Sequence, residues 1–347
     1  MADPDDGGLS PEEILRKADE AFSGGYRLFE AGHLPETIAV FMRALELYRQ
    51  VEGTERQQAT CLTLIGSIFL SDTNRYQDSL TIYEIALGLW NDLPGTEDIQ
   101  ADCLFRIGIA LRNMGRYEEA LTAFQQALDL YRTLPGTQKD QADCLVNTGN
   151  TLYGVGRYEE ALTSYRDALD TYRALPGTEL QQALCLFNTG AILREVERYE
   201  EALSFYRDAL AAYRTLPDTQ DQQADCLLNT GNTLRRVGRY EEALTSYRDA
   251  LAAYRTLPDT ERQQANCLNN TGNTLRRVGR YEEALTSYRD ALAAYRTLPD
   301  TERQQADCLL NTGATLHEVG RYEEALTAYR DALAAYRTLP DTERQQA

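Results

Sequence analysis

Cysteine recurs along this chain at positions 61, 103, 144, 185, 226, 267 and 308, spaced by 42 residues once and by 41 thereafter. The cysteines mark a longer unit, ADCLLNTGNTLRRVGRYEEALTSYRDALAAYRTLPDTERQQ, which returns almost unchanged. Its copies start at Ala18, Ala59, Ala101, Ala142, Ala183, Ala224, Ala265 and Ala306. The first two are the most diverged, and the second carries one extra residue near Asp72 to Asn74. Self-similarity at such a period dictates a repeat architecture. A unit this short cannot bury both its faces, so neighbours must stack and the core must run lengthwise.

Each unit reads as two helices. In the copy from Ala265, the first helix, A, opens at Thr260, and Gln263 three residues on completes the pattern of a capping box. Leu268, Thr271, Gly272 and Leu275 follow at helical spacing. Gly279 marks the stop, since a left-handed residue there needs no Cβ. Helix B opens near Tyr281 and aligns Ala284, Leu285, Tyr288, Ala291, Leu292 and Tyr295, and Pro299 forbids its continuation. A glycine holds one helix A position in all eight copies, from Gly25 to Gly313. Mid-helix glycine costs about 1 kcal/mol against alanine, so its recurrence predicts close backbone approach to helix B, where alanines from Ala44 to Ala332 match it. Aromatic residues from Phe41 to Tyr329 are expected to fill the gap between neighbours. Glu197 replaces the turn glycine in the fifth copy, which predicts local strain.

With Leu268, Gly272 and Leu275 on helix A and Ala284, Tyr288 and Ala291 on helix B, the unit resembles the tetratricopeptide repeat, over residues 11 to 340. The period of 41 exceeds that family's usual 34, the proline sits three residues late, and Thr230 and Thr271 stand where the family has leucine. The longer unit is similar to the kinesin-light-chain type. The resemblance implies an all-α fold: a right-handed superhelical solenoid of eight antiparallel hairpins with helix A lining the concave wall. The expected organisation is a disordered tail over 1–9, one solenoid over 10–340 and the stub of a ninth repeat over 341–347, whose sequence matches Asp300 to Ala306.

The cysteines, one per period and never paired as C-x-x-C, fit neither a disulfide framework nor a zinc site and read as small buried hydrophobes. The net charge of −19 disfavours a phosphate backbone as partner. No run reaches the roughly 18 apolar residues of a membrane span, and the acidic start Met-Ala-Asp-Pro-Asp-Asp lacks the features of a secretory signal. A cytoplasmic location is the resulting expectation. Catalysis finds no support. His33 and His317 lie far apart in the chain, no phosphate loop or metal cluster is present, and the paired glutamates of each R-Y-E-E diverge on a helix. No cofactor or metal is expected. Helix B charges such as Glu241, Glu242, Arg248 and Asp249 read as a solvated outer face.

The resemblance places two sets of side chains on the helix A wall. One is an asparagine row, Asn147, Asn188, Asn229, Asn270 and Asn311, with a second row of Asn150, Asn232 and Asn273. Asparagine both donates and accepts, which suits a peptide backbone. The other is Arg194, Arg235, Arg236, Arg276 and Arg277, whose guanidinium groups suit carboxylates. Near-identical copies point to recent duplication, so the rows equally read as a solvated wall. The leading expectation is a non-enzymatic scaffold that binds an extended, acidic protein segment in this groove. The alternatives are the sensor arm of a larger signalling or defence protein, and a building block that stacks head-to-tail through an uncapped end face of Leu326, Tyr329 and Leu333, since open solenoid ends invite heterologous contacts. At the other end, Ser10, Pro11, Glu12 and Glu13 read as a well-capped start.

Overall fold

The computed structural model describes residues 9–72 and 74–339. The stub expected over 341–347, and the tail expected over 1–9 apart from Leu9, lie outside them. The described residues form sixteen helices and no strand: α1 (Pro11–Glu30), α2 (Leu34–Tyr48), α3 (Glu55–Leu70), α4 (Tyr76–Asn91), α5 (Glu97–Asn113), α6 (Tyr117–Thr133), α7 (Gln138–Gly154), α8 (Tyr158–Arg173), α9 (Glu179–Glu195), α10 (Tyr199–Tyr213), α11 (Gln220–Arg236), α12 (Tyr240–Tyr254), α13 (Glu261–Arg277), α14 (Tyr281–Tyr295), α15 (Glu302–Glu318) and α16 (Tyr322–Thr338). Odd-numbered helices are the A helices and even-numbered ones the B helices. Each A packs on the B that follows it, giving the eight hairpins of an all-α solenoid. Contacts divide the chain into two compact units, one up to Leu175 and one from Pro176 onward. The first unit stacks its four hairpins through α2 on α3, α4 on α5 and α6 on α7; the second does so through α10 on α11, α12 on α13 and α14 on α15.

The recurrent glycine has a more specific cause than approach of two backbones. A Cβ on Gly272 would lie 2.7 Å from Cε1 of Tyr288, and one on Gly231 2.6 Å from Cε1 of Tyr247. The aromatic ring of the same hairpin therefore lies on the bare backbone of helix A, rather than only filling a gap between hairpins. Tyr288 is fully buried and also meets Leu244 of the preceding hairpin and Leu275 of its own. The seven cysteines are buried and form no disulfide among the described residues, and burial pushes the thiols of Cys144, Cys226, Cys267 and Cys308 up to about 12. They pack as small apolar groups, as the spacing implied.

Turn chemistry follows the sequence in part. Gly279 takes φ +77°, and Glu197 takes φ 61° at the corresponding place in the fifth copy, so the strain expected there is located in a left-handed non-glycine residue. Ser10 forms a full capping box with Glu13. The capping box expected at Thr260 does not form. The Thr260 hydroxyl instead donates backwards, to the carbonyls of Tyr254 (2.6 Å) and Leu257 (3.1 Å), and is itself met by Nε2 of Gln264. The hydroxyl thus closes the turn from helix B to helix A, where carbonyls left over from the previous helix need donors. The expected partner, Gln263, keeps a buried Oε1 with no hydrogen bond. The R-Y-E-E signature also gains a structural role. Arg280 clasps Glu283 through Nε (2.7 Å) and Nη2 (2.6 Å), while Glu282 lies 3.5 Å from Arg321 of the next hairpin. The two glutamates point different ways, one inward to its own turn and one along the array.

Candidate protein-binding face

The A helices carry the expected side chains in adjacent rows, and hydrogen bonds across neighbouring A helices show that the rows touch. Arg112 of α5 donates Nη1 to Oδ1 of Asn147 on α7 at 2.7 Å. Arg194 of α9 does the same to Asn229 of α11, and its Nη2 meets Glu195 at 2.8 Å. Nδ2 of Asn229 is turned back onto the carbonyl of Asp225. Asn270 of α13 behaves differently: its Nδ2 donates to Oδ1 of Asn232 on α11 at 3.0 Å. That same oxygen accepts from the Tyr247 hydroxyl at 2.9 Å. Asn273 likewise accepts from Tyr288 (2.9 Å), and Asn150 from Tyr165. Six of the eight asparagines therefore bond within the protein. Asn188 and Asn311 make no side-chain hydrogen bond among the described residues.

The difference between Asn147 or Asn229 and Asn270 follows the second asparagine row, although Asn311 does not turn to Asn273 in the same way. The position of Asn232 is Ile109 in α5 and Ala191 in α9. Where that residue is apolar, the asparagine of the next A helix has no amide to meet and faces the arginine. Where it is Asn232, Asn270 turns to it and Arg235 is left without an ion pair among the described residues, its Nε buried and without a hydrogen bond. Arg236 and Arg277 are exposed and also lack an ion pair or hydrogen bond there. Burial pushes the Tyr247 phenol up to about 12, against the pull of the Arg235 charge beside it. The outer arginines are engaged: Arg194 by Glu195, and Arg276 by Glu318 at 3.8 Å. On this face of the second unit the arginines without an ion pair among the described residues are thus Arg235, Arg236 and Arg277, in the middle of the row.

A row of acceptors with tyrosine partners lies toward the other end of the same helices, beyond the residues that the sequence pattern singles out. Asp143, Asp225 and Asp307 accept hydrogen bonds from Tyr172, Tyr254 and Tyr336, and Asn266 accepts from Tyr295 at 2.6 Å. Burial holds the Asp225 carboxyl above its ordinary range, partly offset by the Tyr254 hydroxyl. The signal was present as a fixed spacing of 29 residues between acceptor and tyrosine.

The two outermost hairpin faces differ in kind. Leu326 and Leu333 of α16 are 44% and 50% exposed and Tyr329 is half-buried, whereas Leu285, one repeat before Leu326, is 7% exposed. On α1, Glu20 occupies the position that carries cysteine in the other copies, and it pairs with Arg16 at 2.6 Å. His33 precedes α2, and His317 lies in the last turn of α15 with its ring against Tyr322. No group of His, Cys, Asp or Glu among the described residues is placed to hold a metal ion, and no helix there is long and apolar enough to cross a membrane.

The sequence model of the tetratricopeptide repeat matches six overlapping windows, residues 68–133, 100–174, 140–215, 182–256, 222–297 and 263–338. The chain belongs to the tetratricopeptide repeat family. Several solved structures resemble it in fold. A signal transduction ATPase with numerous domains, PH0952 from Pyrococcus horikoshii, which has a tetratricopeptide repeat sensor, matches with a TM-score of 0.69 at 14% identity, over 97% of this chain and 52% of its own. The apo quorum sensor NprR from B. thuringiensis gives 0.68 at 14%, over 95% and 89%. BtubC (BKLC) from P. vanneervenii gives 0.56 at 18%, over 64% and 91%. The chain spans about half the length of PH0952. Comparison with curated proteins finds no match. Membership of this family supports a protein-interaction role.

Proposed function

We propose that the A-helix face of the second unit holds an extended acidic protein segment, with Arg235, Arg236 and Arg277 receiving its carboxylates. One observation carries this reading. In a chain of net charge −19, three neighbouring arginines of this face have no counter-ion among the described residues, and the Nε of one is buried without a partner there. A buried donor left unmade is costly, and a carboxylate offers the guanidinium two acceptors in matching geometry. Glu195 and Glu318 stand at either side of the three, already spent on Arg194 and Arg276. The favoured footprint is therefore the pair of hairpins α11/α12 and α13/α14. The asparagines contribute mainly by deciding which arginine is free, and Asn188 and Asn311 remain open to a peptide backbone.

Hexaglutamate is the simplest probe. Titration calorimetry at low salt should show binding that weakens at least about tenfold in the double variant Arg235→Glu with Arg277→Glu, the two lost charge-assisted contacts together contributing at least about 1.5 kcal/mol. Equal affinity for wild type and variant would remove the arginines from the reading. Steep loss of affinity with added salt is the second expected sign, because exposed charges are screened within about 10 Å at 0.1 M.

The likeness to PH0952 and NprR favours a second reading, that the array is the sensor arm of a larger signalling protein; the acidic segment would then be its signal. Head-to-tail stacking has weaker support, since it would set Leu326 and Leu333 against the Glu20–Arg16 pair and bury both charges. Sedimentation showing concentration-dependent growth into long species would restore it.

A further inference from the structure

The B helices carry a charged outer face, yet the threonines that stand in place of the family's leucine open space between them. Thr271 lines a niche of about 470 Å³ between α12 and α14, floored by α13. Its apolar surface comes from Leu244, Leu251, Leu268 and Leu275. One repeat earlier, a niche of about 330 Å³ is lined by the counterparts of these residues 41 positions back, Leu203, Leu210, Leu227, Leu234 and Thr230. The first unit has a related niche of about 610 Å³ at Thr148, with Leu121 and Leu152.

Most polar groups at the mouth are already satisfied. Thr271 donates to the carbonyl of Cys267, Thr286 to that of Glu282 and Ser287 to that of Glu283. Arg280 is held by Glu283. The exceptions are Arg248 and, one repeat earlier, Arg207. Both line their niches, are exposed, and have no ion pair or hydrogen bond among the described residues. In the first unit the counterpart is Gln125, which bonds to Asp129 at 2.8 Å.

We propose that the niches at Thr230 and Thr271 are docking points for a partner segment that presents a branched apolar side chain beside a carboxylate. The apolar group seats among the four leucines, where its removal from water is favourable. The carboxylate meets Arg207 or Arg248, the uncompensated charge at each mouth. Two such points one repeat apart let a single segment bind twice, which multiplies the affinity of each contact. This surface is on the B helices and stands independently of the arginines on the A-helix face.

The test uses the full chain with methyl-labelled leucines and two probes, 4-methylpentanoate and the neutral 4-methylpentan-1-ol, followed by NMR titration. The expected result is that both probes shift the methyls of Leu244 and Leu275, and of Leu203 and Leu234. The carboxylate should bind about threefold more tightly than the alcohol there, the scale of an exposed charge pair, but equally at Leu121 and Leu152 beside Gln125. Arg248→Gln should abolish the difference at its own niche. Thr271→Leu, which refills the niche with the family's residue, should erase both shifts there and leave those at Leu203 and Leu234 intact. No saturable shift with either probe, shifts that persist in Thr271→Leu, or equal preference at the Arg248 and Gln125 niches would each overturn the proposal.

Discussion

The fifth and sixth copies fold alike, but a few helix A positions set them apart. The fifth has Leu184, Ala191, Glu195 and Glu197 where the sixth has Asp225, Asn232, Arg236 and Gly238. In the fifth, Arg194 is shared between Asn229 and Glu195. In the sixth, Asn232 takes the next asparagine away, Arg236 adds a second cation, and Arg235 is left open. The same scaffold thus carries a closed arginine in one hairpin and an open one in the next. The switch is a residue that touches no carboxylate itself. The first unit repeats the closed arrangement with different residues, Ile109 permitting Arg112 to reach Asn147.

The largest effect is expected from Asn232→Ala, which should make the sixth copy behave like the fifth. Asn270 loses its acceptor and becomes available to Arg235, so hexaglutamate affinity should fall about tenfold in calorimetry, near the lower bound for a hydrogen bond to a charged group. Unchanged affinity in a folded variant would show that the asparagine does not govern the arginine. Next comes Glu197→Gly, aimed at the other side of the comparison. A left-handed non-glycine residue costs about 1 kcal/mol or more, so thermal unfolding should shift upward by about 2–4 °C for a unit of this size; a fall would mean that the Glu197 side chain supplies a contact worth more than the strain. Smaller again is Ala191→Asn. It offers Asn229 an amide and should loosen Arg194, raising hexaglutamate affinity about twofold, because Glu195 still holds the other side of the guanidinium and exposed pairs contribute under about 1 kcal/mol. An affinity that drops would reverse the assigned direction.

The hairpins, their number, the buried cysteines and the recurrent glycine were legible because each is fixed by period and by local sterics. Gly272 had to be small whatever lay opposite it, even though the opposing atoms turned out to be the Tyr288 ring. The hydrogen-bond state of the asparagines was not legible in the same way. Whether Asn229 or Asn270 faces an arginine depends on a residue 38 positions earlier, Ala191 or Asn232, and no local pattern carries that information. Thr260 misled for a related reason. A threonine at a helix start can cap forward or donate backward, and the choice depends on the free carbonyls of Tyr254 and Leu257. The niches were hidden by the same logic, since Thr271 marks a missing volume only once α12 and α14 are in place.

The remaining contrast sets the sixth copy against the seventh, where Asp225 becomes Asn266 and the tyrosine bond is kept by a neutral amide. Burial raises the Asp225 carboxyl more than the Tyr254 hydroxyl lowers it. The native fold therefore favours the protonated acid. The stability this confers is fully present below the unfolded carboxyl value of about 4 and is lost as pH rises through the elevated native value. At pH 7 the ionised group is the less favourable occupant, so Asp225→Asn should raise the unfolding temperature by about 1 °C at pH 7, a shift of a few tenths of a kcal/mol. The gain should vanish as pH falls below about 4. Removing any negative charge from a chain of −19 relieves repulsion, so the control is Asp249→Asn on the exposed face of α12, which deletes the same charge without the buried site. A larger gain for Asp225→Asn than for Asp249→Asn supports desolvation as the cause. Equal gains would reduce the effect to net charge, and a loss at pH 7 would show that the tyrosine bond to the carboxylate outweighs its burial.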